Sequence, residues 1–273
     1  KVKRRILSGI IGGILFLFLL IKGGVLLAIG VGLLSLLATR EICRLFQKAG
    51  LEVNLPLAFF FTLIITSGAA IPWPAGSQGL TYGGFWGLSF WAVLFSTFLF
   101  SIGKGITQGT LVSALAQSFI LFYPGLLFTY ILQIRNLAPA DGWKLLLFAF
   151  AVIWGTDTGA YFIGSACGRT PLAPRLSPHK TVEGAVGGLL VGTLAGVLAG
   201  LVLQLPLFWL LGTGLLTSFA GQVGDLFESF LKRIAGLKDS GVFLPGHGGV
   251  LDRFDSALFA LPVVYYLALF LFS

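Results

Sequence analysis

The sequence predicts an all-α, polytopic integral membrane protein of about nine transmembrane helices with a cytoplasmic N-terminus. Three observations lead there. Of the 273 residues, 56% are apolar and only 10% charged, against about 25% charged in an ordinary globular domain. Apolar stretches of near-spanning length recur along the whole chain. Lys and Arg collect on one side of the topology that those stretches generate. Such a composition cannot coat a soluble fold, and it excludes disorder, nucleic-acid binding and a secreted disulfide scaffold. Cys43 and Cys167 are far apart, in no metal-ligand spacing, and read as free thiols.

Taken in order, the expected spans are 6–21, 25–39, 56–72, 85–102, 110–132, 145–163, 185–204, 206–221 and 256–273. The first, second and eighth are short for a hydrocarbon core that needs about 20 residues. The basic opening Lys1-Val-Lys-Arg-Arg5 resembles the start of a signal peptide. No small-residue cleavage site follows it, and hydrophobicity resumes at Val25, so the segment reads as an uncleaved first span. With the N-terminus inside, all of the 18 Lys and Arg except Lys22, Arg135 and Lys144 face the cytoplasm, as the positive-inside rule demands. The uncharged loop Pro72–Gly79 then lies outside, and the two long polar loops, 163–185 and 221–256, lie inside. Both long loops thus fall in residues 141–273, and residues 1–140 are spans with shorter connections. Gly184, Gly188, Gly192, Gly196 and Gly200 recur every four residues, a helix face that admits another helix closely.

The acidic residues are few, and their placement is informative. Glu41, Glu52 and Asp141 read as solvated loop residues. The rest cluster: Asp157 late in the sixth span, Glu183 at the start of the seventh, and Asp225, Glu228, Asp239, Asp252 and Asp255 between the eighth and ninth. A charge at the bilayer centre costs about 3 kcal/mol, so such groups mark function unless loop solvation explains them. Asp252 and Asp255 are three apart and share a helix side. Like charges there repel unless a cation lies between, and oxygen donors without a His/Cys cluster favour Mg²⁺ over Zn²⁺. Simple solvation of these carboxylates stays open at this point, as does a surface ion pair between Glu228 and Lys232. The Gly-rich stretch Lys238–Gly249, behind Lys232 and Arg233, could form a backbone nest for phosphate. His247 within it reads equally as base, phosphate donor or neutral loop residue. In Ser177-Pro-His-Lys-Thr-Val-Glu-Gly184, Pro178 suits a first helical turn, and Lys180 and Glu183 stand at a helix start that favours an anion or is simply capped.

The 27-residue run Ser229-Phe-Leu-Lys-Arg-Ile-Ala-Gly-Leu-Lys-Asp-Ser-Gly-Val-Phe-Leu-Pro-Gly-His-Gly-Gly-Val-Leu-Asp-Arg-Phe-Asp255 resembles the signature of the phosphatidate cytidylyltransferase (CDP-diacylglycerol synthase) family. Asp157-Thr-Gly-Ala-Tyr161 with Gly164, and Ser177–Gly184, are similar to two further family blocks. Residues 1–140 are similar only in being apolar, and Ser165-Ala-Cys167 departs from the basic and bulky residues frequent there. The resemblance implies that CTP and phosphatidic acid give CDP-diacylglycerol and pyrophosphate in phospholipid biosynthesis, with Mg²⁺ and a second cation as an option. It implies a multi-pass, homodimeric protein of the inner (plasma) membrane whose site faces the cytoplasm. Carried over residue by residue, it points to Asp225, Lys232, Arg233, Lys238, Asp239, His247, Asp252 and Arg253 as catalytic. It points to Ser177, Lys180, Glu183, Gly248 and Gly249 for substrate, and to Asp157, Asp225, Asp252 and Asp255 for metal. The basic residues make sense where a triphosphate meets a phosphomonoester of about −1.5 to −2, since phosphoryl transfer is mostly positioning and charge stabilisation. Two rivals remain: a CTP-dependent polyprenol or phytol kinase, and a transporter using intramembrane carboxylates.

Overall fold

A computed structural model describes residues 2–71, 83–105, 107–138, 140–241 and 248–272. The loop Pro72–Gly79 and His247 lie outside the described residues. The elements are α1 (Val2–Lys22), α2 (Gly24–Lys48), α3 (Leu55–Ala70), α4 (Gly83–Ile102), α5 (Gln108–Ile120), a π-helical turn (Leu121–Leu126), α6 (Thr129–Leu137), α7 (Gly142–Cys167), β1 (Pro171–Ala173), β2 (Ser177–Thr181), α8 (Val182–Val202), α9 (Leu207–Ile234) and α10 (Leu251–Phe272).

Among the described residues, seven helical stretches are long and apolar enough to cross a bilayer, with Gln108–Leu137 running as one through the π turn. The apolar parts of α1 (Ile11–Lys22) and α3 (Leu55–Ala70) are shorter. This corrects the expected lengths: the second and eighth spans are 25 and 28 residues long. Hydropathy ends a span at its first charge, whereas backbone hydrogen bonding carries a helix on into polar sequence. One further element was not expected, the antiparallel hairpin that pairs Pro171 with Thr181 and Ala173 with Ser177. Pro178 therefore sits in β2 rather than in a helical turn. Thr181 caps α8 instead, its Oγ1 accepting the Gly184 amide at 3.1 Å.

The core joins α2, α6, α7 and α10 through side chains such as Ile42, Phe128, Ile131, Phe148 and Leu258. Large apolar residues including Leu88, Phe98, Leu190, Phe208 and Phe270 stand exposed on the outside, where lipid suits them.

The glycine stripe of α8 makes the tightest packing. A Cβ on Gly184 or Gly188 would come 2.8 or 2.9 Å from the carbonyls of Ala160 or Thr156, and one on Gly196 2.3 Å from Val152. Gly155 and Gly159 reciprocate from α7 against Ala195 and Val191. Backbones this close gain dispersion and fix register where no hydrophobic force acts between helices in lipid. Gly200 continues the stripe against Leu210 of α9. Thr156 Oγ1, 2.7 Å from Ser218 Oγ, ties α7 to α9 across the stripe.

Candidate active site

The Thr156–Ser218 bond fixes the register of α7 against α9, and with it the two aspartates just beyond. Asp157 is the next residue on α7, and Asp225 comes about two turns after Ser218 on α9. The two aspartates form a shared wall between two cavities. The larger, of about 520 Å³, is also lined by Tyr161, Ser165, His179, Lys180 and Thr181. Lys180 Nζ lies 2.5 Å from Asp225 Oδ2. The smaller, of about 250 Å³, adds Asp252, Arg253, Asp255 and Ser256 to the same two aspartates.

Gly224 is what lets α10 come so near. A Cβ there would be 2.5 Å from the Asp255 carbonyl, so the glycine next to Asp225 admits the backbone that carries Asp255. Asp157, Asp225 and Asp255 then repel one another across the recess. All four carboxylates expected to hold metal thus line a single recess. Among the described residues, however, no group of three or more His, Cys, Asp or Glu is drawn close enough to hold one ion.

Asp252 differs from its neighbours in being fully engaged. Its Oδ2 accepts the Ser240 amide at 2.9 Å, the Ser240 hydroxyl at 2.8 Å and the Gly249 amide at 2.7 Å. Its Oδ1 accepts Lys232 Nζ at 2.7 Å. Lys232 also pairs with the carboxylate of Glu228, which is fully buried. The Glu228–Lys232 pair expected on a helix surface is therefore an interior one. A buried ion pair is costly to break, because the surviving charge is left stranded.

The Gly-rich stretch is described only at its two ends, residues 242–247 lying outside the described residues, and there its donors meet side chains of the chain itself. Its amides at Ser240 and Gly249 bond Asp252, and those at Val250 and Leu251 bond Glu41 at 2.9 Å each. At these two ends, among the described residues, the chain's own carboxylates take amides that sequence reasoning offered to phosphate. Gly248 turns the loop at φ +75°, where any side chain is strained and a Cβ would meet Asp252 at 2.8 Å.

The other expected residues take up varied places. Arg253 is exposed and lines the smaller cavity. Arg233 is exposed and its Nε donates to the Leu176 carbonyl at 3.1 Å, bracing the hairpin. Lys238 and Asp239 are exposed on the loop after α9 and line neither cavity. Ser177 is half-buried at the start of β2. Glu183 accepts the amides of Arg169 at 3.0 Å and Thr170 at 3.1 Å, so it orders the loop before the hairpin.

Two contributors went unnoticed in the sequence. Glu41 belongs to α2 rather than to a loop, and its signal lay in the helical wheel: Ala38, Ile42 and Leu45 are buried on the same face. Tyr123, in the π turn, stacks on Phe119 and meets Phe227 edge-on. Its buried hydroxyl lacks a hydrogen-bond partner among the described residues and lies within electrostatic range of Glu228, Asp255 and Asp225. No local pattern marks it.

A family model described as "Cytidylyltransferase family" matches residues 3–271. The chain is 38% identical over 280 residues to a Bacillus subtilis protein named phosphatidate cytidylyltransferase, covering 99% of this chain and 98% of that one. A protein of the same name from Staphylococcus epidermidis is 35% identical over 269 residues, 96% of this chain and 97% of its own length. One from Staphylococcus aureus is 36% identical over 268 residues, with the same coverage.

Proposed function

The chain belongs to the cytidylyltransferase family, and we infer from that membership that it transfers a cytidylyl group from CTP to phosphatidic acid, giving CDP-diacylglycerol and pyrophosphate in phospholipid biosynthesis. A phosphate oxygen of phosphatidic acid attacks the α-phosphorus of CTP, the bond to the β-phosphate breaks, and pyrophosphate leaves. The attacking phosphate is already ionised, so the step needs no strong base and His247 is not required as one.

The observation that carries the site is the recess that Asp157, Asp225 and Asp255 line from three helices together with Arg253, with Lys180 paired to Asp225. These three carboxylates suit Mg²⁺ in kind: they are hard oxygen donors and repel one another across the recess, with Lys180 paired to Asp225, and they would have to draw closer than they stand to share one ion. When bound, the ion neutralises phosphate charge; a second cation alongside would ease the same repulsion. Asp252 supports this set by fixing the loop and Lys232. Lys180 lines the larger cavity, placed to receive phosphate there once it parts from Asp225. Arg253 offers a bidentate donor at the rim. The larger cavity falls in the size range of small-molecule sites.

The protein is placed in the inner (plasma) membrane with this site toward the cytoplasm, the side from which CTP arrives. Supporting this, Arg40, Arg44, Lys180, Lys232, Arg233 and Arg253 all lie at the end of the bundle that bears the site, as the positive-inside rule asks. The homodimer contact is assigned to the N-terminal helices of residues 1–140, which carry exposed apolar side chains such as Ile14, Leu26, Phe60 and Leu88.

The test is purified protein in vesicles of phosphatidic acid with labelled CTP, with and without Mg²⁺. Mg²⁺-dependent pyrophosphate release with formation of CDP-diacylglycerol is expected. CDP release without pyrophosphate would instead indicate a kinase, and ion uptake without nucleotide turnover a transporter. Asp225→Asn is expected to abolish turnover at an unchanged unfolding temperature; wild-type turnover would remove Asp225 from the metal set.

A further inference from the structure

Glu41 lies on the second helix of the chain, outside every motif that marks the family, and it touches the signature loop at both ends. Its Oε1 accepts the Val250 amide and its Oε2 the Leu251 amide, each at 2.9 Å. Oε2 also lies 3.1 Å from Ser240 Oγ, across 199 residues of chain. That hydroxyl has one proton and stands 2.8 Å from Asp252 Oδ2 as well, so Ser240 bridges the two carboxylates.

Two glycines make room for this contact. A Cβ on Gly241 would meet Glu41 Oε1 at 2.6 Å and only Glu41 atoms among its nearest neighbours. One on Gly249 would meet Glu41 Oε2 at 2.5 Å and Ser240 Oγ at 2.2 Å. Neither glycine has a positive φ, so backbone conformation does not demand them. Close approach of the carboxylate does.

We propose that Glu41 is a positioning residue for cytidylyl transfer: from α2 it holds residues 240–241 and 249–251 together, and so fixes Asp252, Lys232 and the first turn of α10 against the recess. Charge-assisted bonds to backbone amides are the strong, directional kind. Among the described residues, none of the loop itself takes the Val250 and Leu251 amides. The N-terminal helices therefore hold the geometry of the site as well as carrying the chain through lipid.

This role rests on the reaction proposed above, and the experiment separates the two. The full-length protein in phosphatidic acid vesicles is assayed for pyrophosphate release as wild type, Glu41→Gln, Glu41→Ala, Gly241→Ala and the double variant Glu41→Ala/Gly241→Ala. In Glu41→Gln the side-chain NH₂ opposes a backbone N–H while size is kept. Its kcat is expected to fall about tenfold to a hundredfold, the range for partners that orient a site, with KM for CTP unchanged and the unfolding temperature in detergent retained. Gly241→Ala is expected to lower kcat through the same displaced carboxylate. The double variant should be no worse than Glu41→Ala, because the added methyl then meets an empty space. An unchanged kcat in Glu41→Gln, or a loss tracking only the fraction of unfolded protein, overturns the proposal. So does a double variant whose loss equals the product of the single losses. Should Glu41→Ala fail to fold, Glu41→Gln and Gly241→Ala alone decide it. A wild-type protein that releases no pyrophosphate overturns the reaction itself, a result no Glu41 variant can mimic.

Discussion

α8 and α10 enter the bundle beside the same site, and both carry an acidic residue in the first turn. Each of these residues reaches back to the loop before its helix: Glu183 to the amides of Arg169 and Thr170, Asp252 to those of Ser240 and Gly249. The helix starts themselves are closed differently. Thr181 caps α8 from three residues away. The start of α10 is closed by Glu41, 210 residues distant from Leu251. The first entry is a local structure that its own sequence can form. The second exists only once α2 has docked, and so it ties the geometry of the site to the fold of the N-terminal half. Loop-closing contacts at that separation carry the full entropy of bringing distant chain together, but they also make the site an all-or-none consequence of folding.

The largest effect that tests this contrast is expected from Asp252→Asn. The replacement puts an NH₂ group among donors from Ser240, Gly249 and Lys232, and Lys232 is left with Glu228 alone. Lys232 and Asp252 are half-buried, and removing one partner leaves the charge of Lys232 and the three donors without their shared acceptor. Pyrophosphate release should fall about a hundredfold, the upper range for a group that orients a site, and the unfolding temperature in detergent should drop. Wild-type stability here would mean that the α10 entry is held by Glu41 without help.

That contrast also marks what the sequence could disclose. The apolar stretches and the glycine stripe were legible because they are periodic, and the four aspartates because charge is rare in lipid. Glu183 and Lys180 were visible at a helix start, since capping operates over three or four residues. The helix ends were misjudged where α2 and α9 run on into polar residues, and this hid Glu41 among supposed loop residues. The partners of the amides at Ser240 and Gly249 to Leu251 could not be read either. Whether a backbone amide meets phosphate or a distant carboxylate is decided by tertiary contact, and one sequence holds no sign of which. Lys232 shows the same limit: its spacing from Glu228 was evident, its burial between two carboxylates was not.

A smaller change is expected at the other entry. Glu183→Gln keeps one carbonyl oxygen for the Arg169 and Thr170 amides, and the site is exposed to water that can replace the lost bond. Turnover should drop by less than about tenfold, through loosening of the hairpin that presents Lys180, and KM for CTP should rise more than kcat falls. A loss as deep as that of Asp252→Asn would show that the hairpin and the signature loop are equally bound to the reaction, erasing the difference between them.

The smallest effect belongs to Thr181→Ala, which removes the cap of α8 and trims one small side chain from the lining of the larger cavity. Loss of an N-cap costs about 1 kcal/mol. α8 is held along its length by close backbone contact with α7, so the frayed turn should not propagate. A modest fall in unfolding temperature with unchanged kcat is therefore expected, measured in the same detergent and vesicle assays. Set beside Glu41→Gln, the pair isolates one variable: both remove the partner of amides at a helix start, but one partner is local and the other is supplied by a helix from the opposite end of the chain. If the Thr181 variant loses kcat as Glu41→Gln does, distance along the chain is irrelevant and any loosened helix start disables the site. If it does not, the dependence of catalysis on α2 is specific to the carboxylate that crosses between the two halves.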